Sequence, residues 1–384
     1  MHARKDNPEL LKAQALGLKV YSYPEYIYEQ SKDKIRVVIG GSHGKTTITS
    51  MILHVLKSQG MEFDYMVGAQ LEGFETMVKL TADAPVIILE GDEYLASPID
   101  RRPKFHLYHA NIALLSGIAW DHINVFPTFA SYLEQFRIFL DTVTEGGKVI
   151  YCEEDEELRN LVRHYPEGRV EKQAYGLPES LTRNGQTSLV YGQKEYPLEI
   201  FGHHNLLNLN GARAVCNALG VDDETFFEAI QSFKGAARRL EVLKKTEYFA
   251  VYKDFAHSPS KLKATTAAVR DQFPDRVLVA CMELHTFSSL DKNFLLEYKG
   301  SMDTADEAIV YFNPHTIEHK KLEPISAEQV KKAFARPDLQ VYTDSEAMVS
   351  YLKQKHWKNA NLLMMSSGNF DGTDLQALAQ SLAE

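Results

Sequence analysis

From residue 35 onward the apolar positions alternate between short unbroken runs and longer stretches with helical spacing. The runs IRVVIGG (Ile35 to Gly41), PVIILEG (Pro85 to Gly91), IALLSGI (Ile112 to Ile118) and KVIYC (Lys148 to Cys152) are rich in β-branched residues and lack polar alternation. That pattern predicts strands buried on both faces of a mostly parallel sheet, with helices between them. A second series, YFAVYKDF (Tyr248 to Phe255), RVLVACME (Arg276 to Glu283), EAIVYF (Glu307 to Phe312), LQVYT (Leu339 to Thr343) and NLLMMSS (Asn361 to Ser367), alternates with helix-like segments and predicts a separate doubly wound α/β domain. Between the two series, VDDETFFEAIQSFKG predicts a helix capped by Asp222 or Asp223, with Gly235 just beyond it. Segment 155–200 is turn-rich, with short strands such as SLVYG. The first 33 residues read as helix, short strand, helix, with too little apolar surface for a core of their own.

Composition narrows the picture. With 384 residues, 44% apolar and 24% charged, the chain is neither disordered nor fibrous, and it is long enough for two or three domains. Its 42 basic against 52 acidic residues, net −10, argue against a broad nucleic-acid surface, so any anion it binds must be caught locally. The three cysteines, Cys152, Cys216 and Cys281, are too scattered for a disulfide framework or metal cluster and read as buried small hydrophobes. No apolar run approaches the roughly 20 residues of a membrane span. The opening MHARKDNPELLKAQ has no apolar signal core, so no membrane partner and a cytoplasmic location are expected.

The strongest chemical signal is an apolar strand running into Gly41-Ser42-His43-Gly44-Lys45-Thr46-Thr47 and then an amphipathic helix. Glycines let backbone N–H groups close around phosphate oxygens, and the helix N-terminus adds partial positive charge. In such a loop Lys45 reaches the β and γ phosphates and Thr46 ligates Mg²⁺. The spacing GxxGKT is shorter than the usual GxxxxGK[ST], so the flanking strand and helix carry much of the reading. Next, VIILEGDEY delivers Glu90, Asp92 and Glu93 at a strand end, where an open α/β sheet collects ligands and hard cations. A third strand, IALLSGI, leads into Asp121-His122.

GSHGKTT, the EGDEY strand end and the strand closing in DH resemble the Mur ligase family, ATP-dependent amide-forming ligases of bacterial cell-wall precursor synthesis. GHHNLLN (Gly202 to Asn208), FKGAARRLE (Phe233 to Glu241) and DFAHSP (Asp254 to Pro259) extend the resemblance in order along the chain. It implies a central P-loop ATP-binding domain over 34–236, a C-terminal Rossmann-like ligase domain over 237–384, and a 1–33 remnant of an N-terminal UDP-binding domain that is largely absent. It also implies ATP and Mg²⁺ as cofactors. ATP would be held by Gly41, Ser42, His43, Gly44, Lys45, Thr46, Thr47, Asn205, Asn208, Arg238, Arg239 and Asp254, and Mg²⁺ by Thr46, Glu90 and His122. Lys45, Arg239 and His257 would be the catalytic set, with His257 near the incoming amine.

The implied reaction joins UDP-N-acetylmuramate to an amino acid or peptide through an acyl phosphate. Two branches fit, one attaching L-alanine and one attaching a whole L-Ala-γ-D-Glu-meso-diaminopimelate tripeptide. The L-alanine branch typically carries two arginines where this sequence has Thr286 and Ser289, whereas EGDEYLASPIDRRPKF and SSGNFDG resemble the tripeptide branch, which is the favoured expectation. Arg101, Arg102, His285, Ser288 and Asn369 are candidate acceptor contacts. The family's Asn and Glu before Asp-His are Gly117 and Ala119 here, and the second His of its D-[YF]-[AG]-H-H-P motif is Ser258. A P-loop kinase or NTPase, or a nucleotide-binding remnant without turnover, remain the readings from other classes. No oligomeric state is implied.

Overall fold

The computed structural model describes residues 4–383 apart from 72, 121–122, 184 and 237–238. Its chain divides into two compact units, one of residues 1–179, 189–196 and 205–233, the other of 180–188, 197–204 and 234–384.

The first unit is built on strands β1 (Ile35–Gly40), β2 (Asp64–Met66), β3 (Val78–Lys79), β4 (Val86–Glu90), β5 (Ile112–Leu115), β6 (Lys148–Cys152) and β7 (Glu171–Tyr175). They form one sheet in the order β3-β2-β4-β1-β5-β6-β7, parallel except for the β2–β3 pair. Val37, Val38, Ile39, Ile87, Ile88, Leu89, Ala113, Leu114 and Leu115 are all fully buried, which is why these runs show no polar alternation. The order places β1 between β4 and β5, with Ile39 beside Glu90 and Gly40 beside Leu115. The chain therefore leaves β4 on one side of β1 and returns as β5 on the other. The crevice beyond such a switch is where open α/β sheets bind ligands.

The turn-rich stretch resolves into helix Glu156–His164, β7, and a three-stranded sheet of β8 (Ser180–Arg183), β9 (Gln186–Tyr191) and β10 (Lys194–Leu198) in the order β10-β9-β8. Helix Asp223–Ile230 is capped by Asp222, whose side chain accepts from Thr225 N.

The second unit carries β11 (Glu241–Lys245), β12 (Phe249–Asp254), β13 (Val277–Leu284), β14 (Glu307–Phe312), β15 (Gln340–Tyr342) and β16 (Ala360–Met365). Their order is β11-β12-β16-β13-β14-β15, parallel apart from β11. One face packs around Trp357 with Phe249, Tyr311 and Phe370.

The N-terminal stretch departs from expectation. Helices Pro8–Ala15 and Tyr23–Ser31 form, but the short strand between them does not. Leu16, Leu18, Val20 and Tyr21 lie exposed there, and an extended segment becomes a strand only when a neighbour takes its backbone hydrogen bonds. All three cysteines are free and buried, and burial pushes the thiols of Cys216 and Cys281 well up. Among the described residues no helix is long and apolar enough to cross a membrane.

Candidate functional site

The loop after β1 is shaped by its neighbours. Gly41 has φ +126°, and a β-carbon on it would strike the Ser116 hydroxyl that follows β5. Ser42 N donates to Gly117 O at 3.0 Å, and Ser116 Oγ donates to His43 O, so the continuation of β5 backs the loop. Gly44 caps helix Lys45–Ser58 in the left-handed region, φ +76°, with its Cα against the Asn208 amide. Lys45 and Thr46 thus open a helix with no side-chain cap at its N-terminus, an end whose N–H groups favour an anion.

The three acids at the end of β4 have three separate jobs. Glu90 Oε1 accepts from Thr46 Oγ1 at 2.9 Å, and its Oε2 accepts from Gly68 N at 2.8 Å. Asp92 Oδ2 is 2.5 Å from Lys104 Nζ. Glu93, almost fully buried, lies 2.6 Å from Lys45 Nζ, which also donates to Gly41 O at 2.7 Å. Burial alone would lower the Lys45 pKa, but the carboxylates of Glu93, Asp92 and Glu90 overcome it and hold the ammonium well above its ordinary value.

Other expected nucleotide contacts gather nearby. Thr47, Asn205 and Asn208 are buried rather than solvated. The two asparagines occupy the first turns of helix His203–Ala218, and the Asn208 amide lies against Gly44 of the loop. His43 lies beside Gly117, where a β-carbon would come within 2.6 Å of the His43 Nε2 and 2.9 Å of Asp155 Oδ2. Asp155 was not singled out by any sequence motif. It caps helix Glu156–His164 through Leu158 N and accepts from Ile118 N at 2.8 Å, filling the space a side chain at Gly117 would take. His122 and Arg238 lie outside the described residues. Among the described residues no group of three His, Cys, Asp or Glu is arranged around one point.

In the second unit Asp254, Arg239 and His257 cluster at the end of β12. Asp254 is buried and accepts from Leu240 N at 2.8 Å and Ala256 N at 2.7 Å. Burial raises its pKa, against the lowering influence of the Arg239 charge and these N–H donors. The Arg239 guanidinium sits 4.8 Å above the Phe255 ring. His257 Nδ1 is 2.8 Å from Phe255 O, and since a carbonyl only accepts, Nδ1 is the donor in that bond.

The acceptor candidates separate. Arg101 is exposed, and Arg102 is spent on Asp100 at 2.6 Å and Glu25 at 3.3 Å. Ser288 is buried, as is Ser289, whose hydroxyl donates to Thr286 O at 3.2 Å; Thr286 Oγ1 accepts from Ser289 N at 3.0 Å, and these two residues close a turn. His285 is half-exposed, with Nδ1 3.5 Å from the buried carboxylate of Glu283. Glu283 in turn accepts from Ser366 Oγ and from Phe370 N at 2.9 Å, which fixes the loop carrying Asn369. Burial pushes the Glu283 pKa up, but the His285, Ser366 and Phe370 hydrogen bonds bring it below the usual carboxylate value.

Residues 39–216 match the model of the Mur ligase middle domain, and residues 238–368 that of the Mur ligase glutamate ligase domain. A UDP-N-acetylmuramate–L-alanine ligase of Caldicellulosiruptor saccharolyticus is 32% identical over 321 residues, covering 80% of this chain and 68% of that protein. Another of the same name from Roseiflexus sp. is 27% identical, with 74% of this chain covering 65% of its length. The chain thus spans about two thirds of these curated relatives. Among solved structures, a murein peptide ligase from Psychrobacter arcticus superposes with a TM-score of 0.64 at 20% identity, over 100% of this chain and 85% of that one. That likeness speaks for the fold.

Proposed function

The chain belongs to the Mur ligase family, ATP-dependent ligases of peptidoglycan synthesis, and on that premise we propose that it forms an amide bond between UDP-N-acetylmuramate and an amino acid or peptide in the cytoplasm. The observation that carries this reading is the joint placement of Lys45, Thr46 and Glu90 at the switch point of the first sheet. An ATP phosphate chain at the Gly41–Thr47 loop would meet the loop backbone, the helix N-terminus and the Lys45 ammonium, all of one sign.

The donor set suits Mg²⁺. Thr46 Oγ1 and Glu90 Oε1 are hard oxygens 2.9 Å apart beside that loop, and with His122 they would hold the ion. Bound there, Mg²⁺ would neutralise charge on the phosphates. Lys45 stabilises charge developing on the γ-phosphate while the muramate carboxylate attacks it to give an acyl phosphate and ADP. The acceptor amine then attacks the acyl carbon and phosphate departs. His257, its ring oriented by the Nδ1 bond to Phe255 O, would take the amine proton. Asp254 holds the backbone at Leu240 and Ala256, and so the position of Arg239. Asn205 and Asn208 would line the adenine side.

For the acceptor, the tripeptide is the first reading, because Thr286 and Ser289 close a turn instead of offering two guanidinium forks to a free amino acid. L-Alanine is the second, favoured by the names of the curated relatives. Supplying ATP, Mg²⁺ and UDP-N-acetylmuramate with either acceptor, and reading the product by mass, separates them. A tripeptide adduct supports the first reading, and an alanine adduct alone replaces it.

A further inference from the structure

Lys45 is held by a hydrogen-bonded strut that passes through another residue of the phosphate loop, Ser42. Ala119 N donates to Ser42 Oγ at 2.8 Å, Ser42 Oγ bonds Tyr132 OH at 2.7 Å, and Tyr132 OH donates to Glu93 Oε1 at 3.1 Å. Glu93 Oε2 then meets Lys45 Nζ at 2.6 Å. Tyr132 has one hydroxyl proton and gives it to Glu93, so the proton of the Ser42–Tyr132 bond comes from Ser42. The chain runs in one direction, from a backbone N–H to a carboxylate, and each link polarises the next. Ser42, Tyr132 and Glu93 are all buried.

A buried carboxylate beside a site built for phosphates needs a reason, because its charge repels the ligand and its desolvation is costly. We propose that Glu93 is a positioning residue for the phosphate-loop lysine, with Tyr132 and Ser42 as its strut. Two of the three Lys45 N–H donors go to Gly41 O and Glu93, which fixes Nζ laterally and leaves the third for a phosphate oxygen. The arrangement gives up ground-state nucleotide affinity for a lysine already in place when charge builds on the transferring phosphoryl group.

This inference rests on the loop binding ATP, so the wild-type chain is first tested for ADP and ATP binding by calorimetry with Mg²⁺; absence of binding there defeats the ATP reading itself. With binding established, Glu93→Gln keeps the shape and removes the charge. It should tighten the nucleotide dissociation constant by about tenfold while lowering kcat by at least about tenfold. Tyr132→Phe, which deletes the strut and keeps the ring, should lower kcat with little change in nucleotide affinity. Opposite movement of affinity and turnover is not produced by general loss of structure, which weakens both. Glu93→Gln that weakens both, leaves kcat unchanged, or fails to tighten binding overturns the proposal, as does a Tyr132→Phe chain with wild-type kcat.

Discussion

A side chain at Gly44 has no room, because its β-carbon would fall on the amide oxygen of Asn208, more than 160 residues further along the chain. The phosphate loop and the first turns of helix His203–Ala218 are therefore one packed object. Gly44→Ala would also force a left-handed φ of +76° on a residue with a β-carbon, costing about 1–2 kcal/mol before any clash. The expected outcome is a lower melting temperature and at least about a tenfold loss of ADP affinity by calorimetry. An Asn208→Ala partner change should relieve part of the stability loss.

Thr46→Val and Thr46→Ser differ by one hydroxyl that Glu90 accepts at 2.9 Å. The valine chain should need about tenfold more Mg²⁺ to reach half-maximal nucleotide binding, and the serine chain should stay close to wild type. A Mg²⁺ titration at fixed ADP reads the difference.

His106 is buried, stacks on Phe105 with centroids 4.8 Å apart, and holds Gln135 O at 2.7 Å through Nε2. Burial drives its pKa down to about 4 from an ordinary 6.5, so between those values the unfolded chain binds the proton and the folded one does not. The stability is complete above about pH 6.5 and is lost as pH falls toward 4, by about 3 kcal/mol in all. Denaturant unfolding from pH 7 to pH 4 should show that loss in the wild type, and a His106→Gln chain should show a flatter profile.

Glu283 has the same direction of linkage by a different route. Its folded pKa lies below the usual carboxylate value despite burial, because His285, Ser366 and Phe370 N bond the ionised form. The stability it contributes is present above the unfolded value of 4.5 and is lost as pH falls through the depressed folded value. Glu283→Gln should therefore cost about 1–3 kcal/mol at pH 7 and progressively less below pH 4. A Glu283→Gln chain as stable as wild type at pH 7 would show that this carboxylate does not clamp the Asn369 loop.

Sequence patterning located both sheets because β-branched runs such as Val86–Glu90 and Glu307–Phe312 owe their strand character to burial on both faces, which is a local signal. The phosphate loop was legible for the same reason, as a strand, a glycine turn and a helix in succession. The division of labour among Glu90, Asp92 and Glu93 was not, because it depends on Thr46, Lys104 and Lys45 reaching them from other elements. Tyr132 and Asp155 carry no motif; one looks like a core aromatic and the other like an ordinary helix cap. The unusual Gly117 is explained only in three dimensions, by the His43 ring and Asp155 carboxylate that occupy its side-chain space. The short strand expected between the two N-terminal helices does not form, because an extended segment becomes a strand only when a neighbour takes its backbone hydrogen bonds.

Phosphate release by the wild-type and Lys45→Ala chains, with ATP, Mg²⁺ and UDP-N-acetylmuramate and with or without L-alanine or the tripeptide, tests the central claim most directly. A ligase whose chemistry rests on Lys45 should release phosphate from the wild type only when an acceptor is present, and none from a Lys45→Ala chain that still unfolds cooperatively. Steady phosphate release without acceptor, or turnover that survives Lys45→Ala, would contradict it.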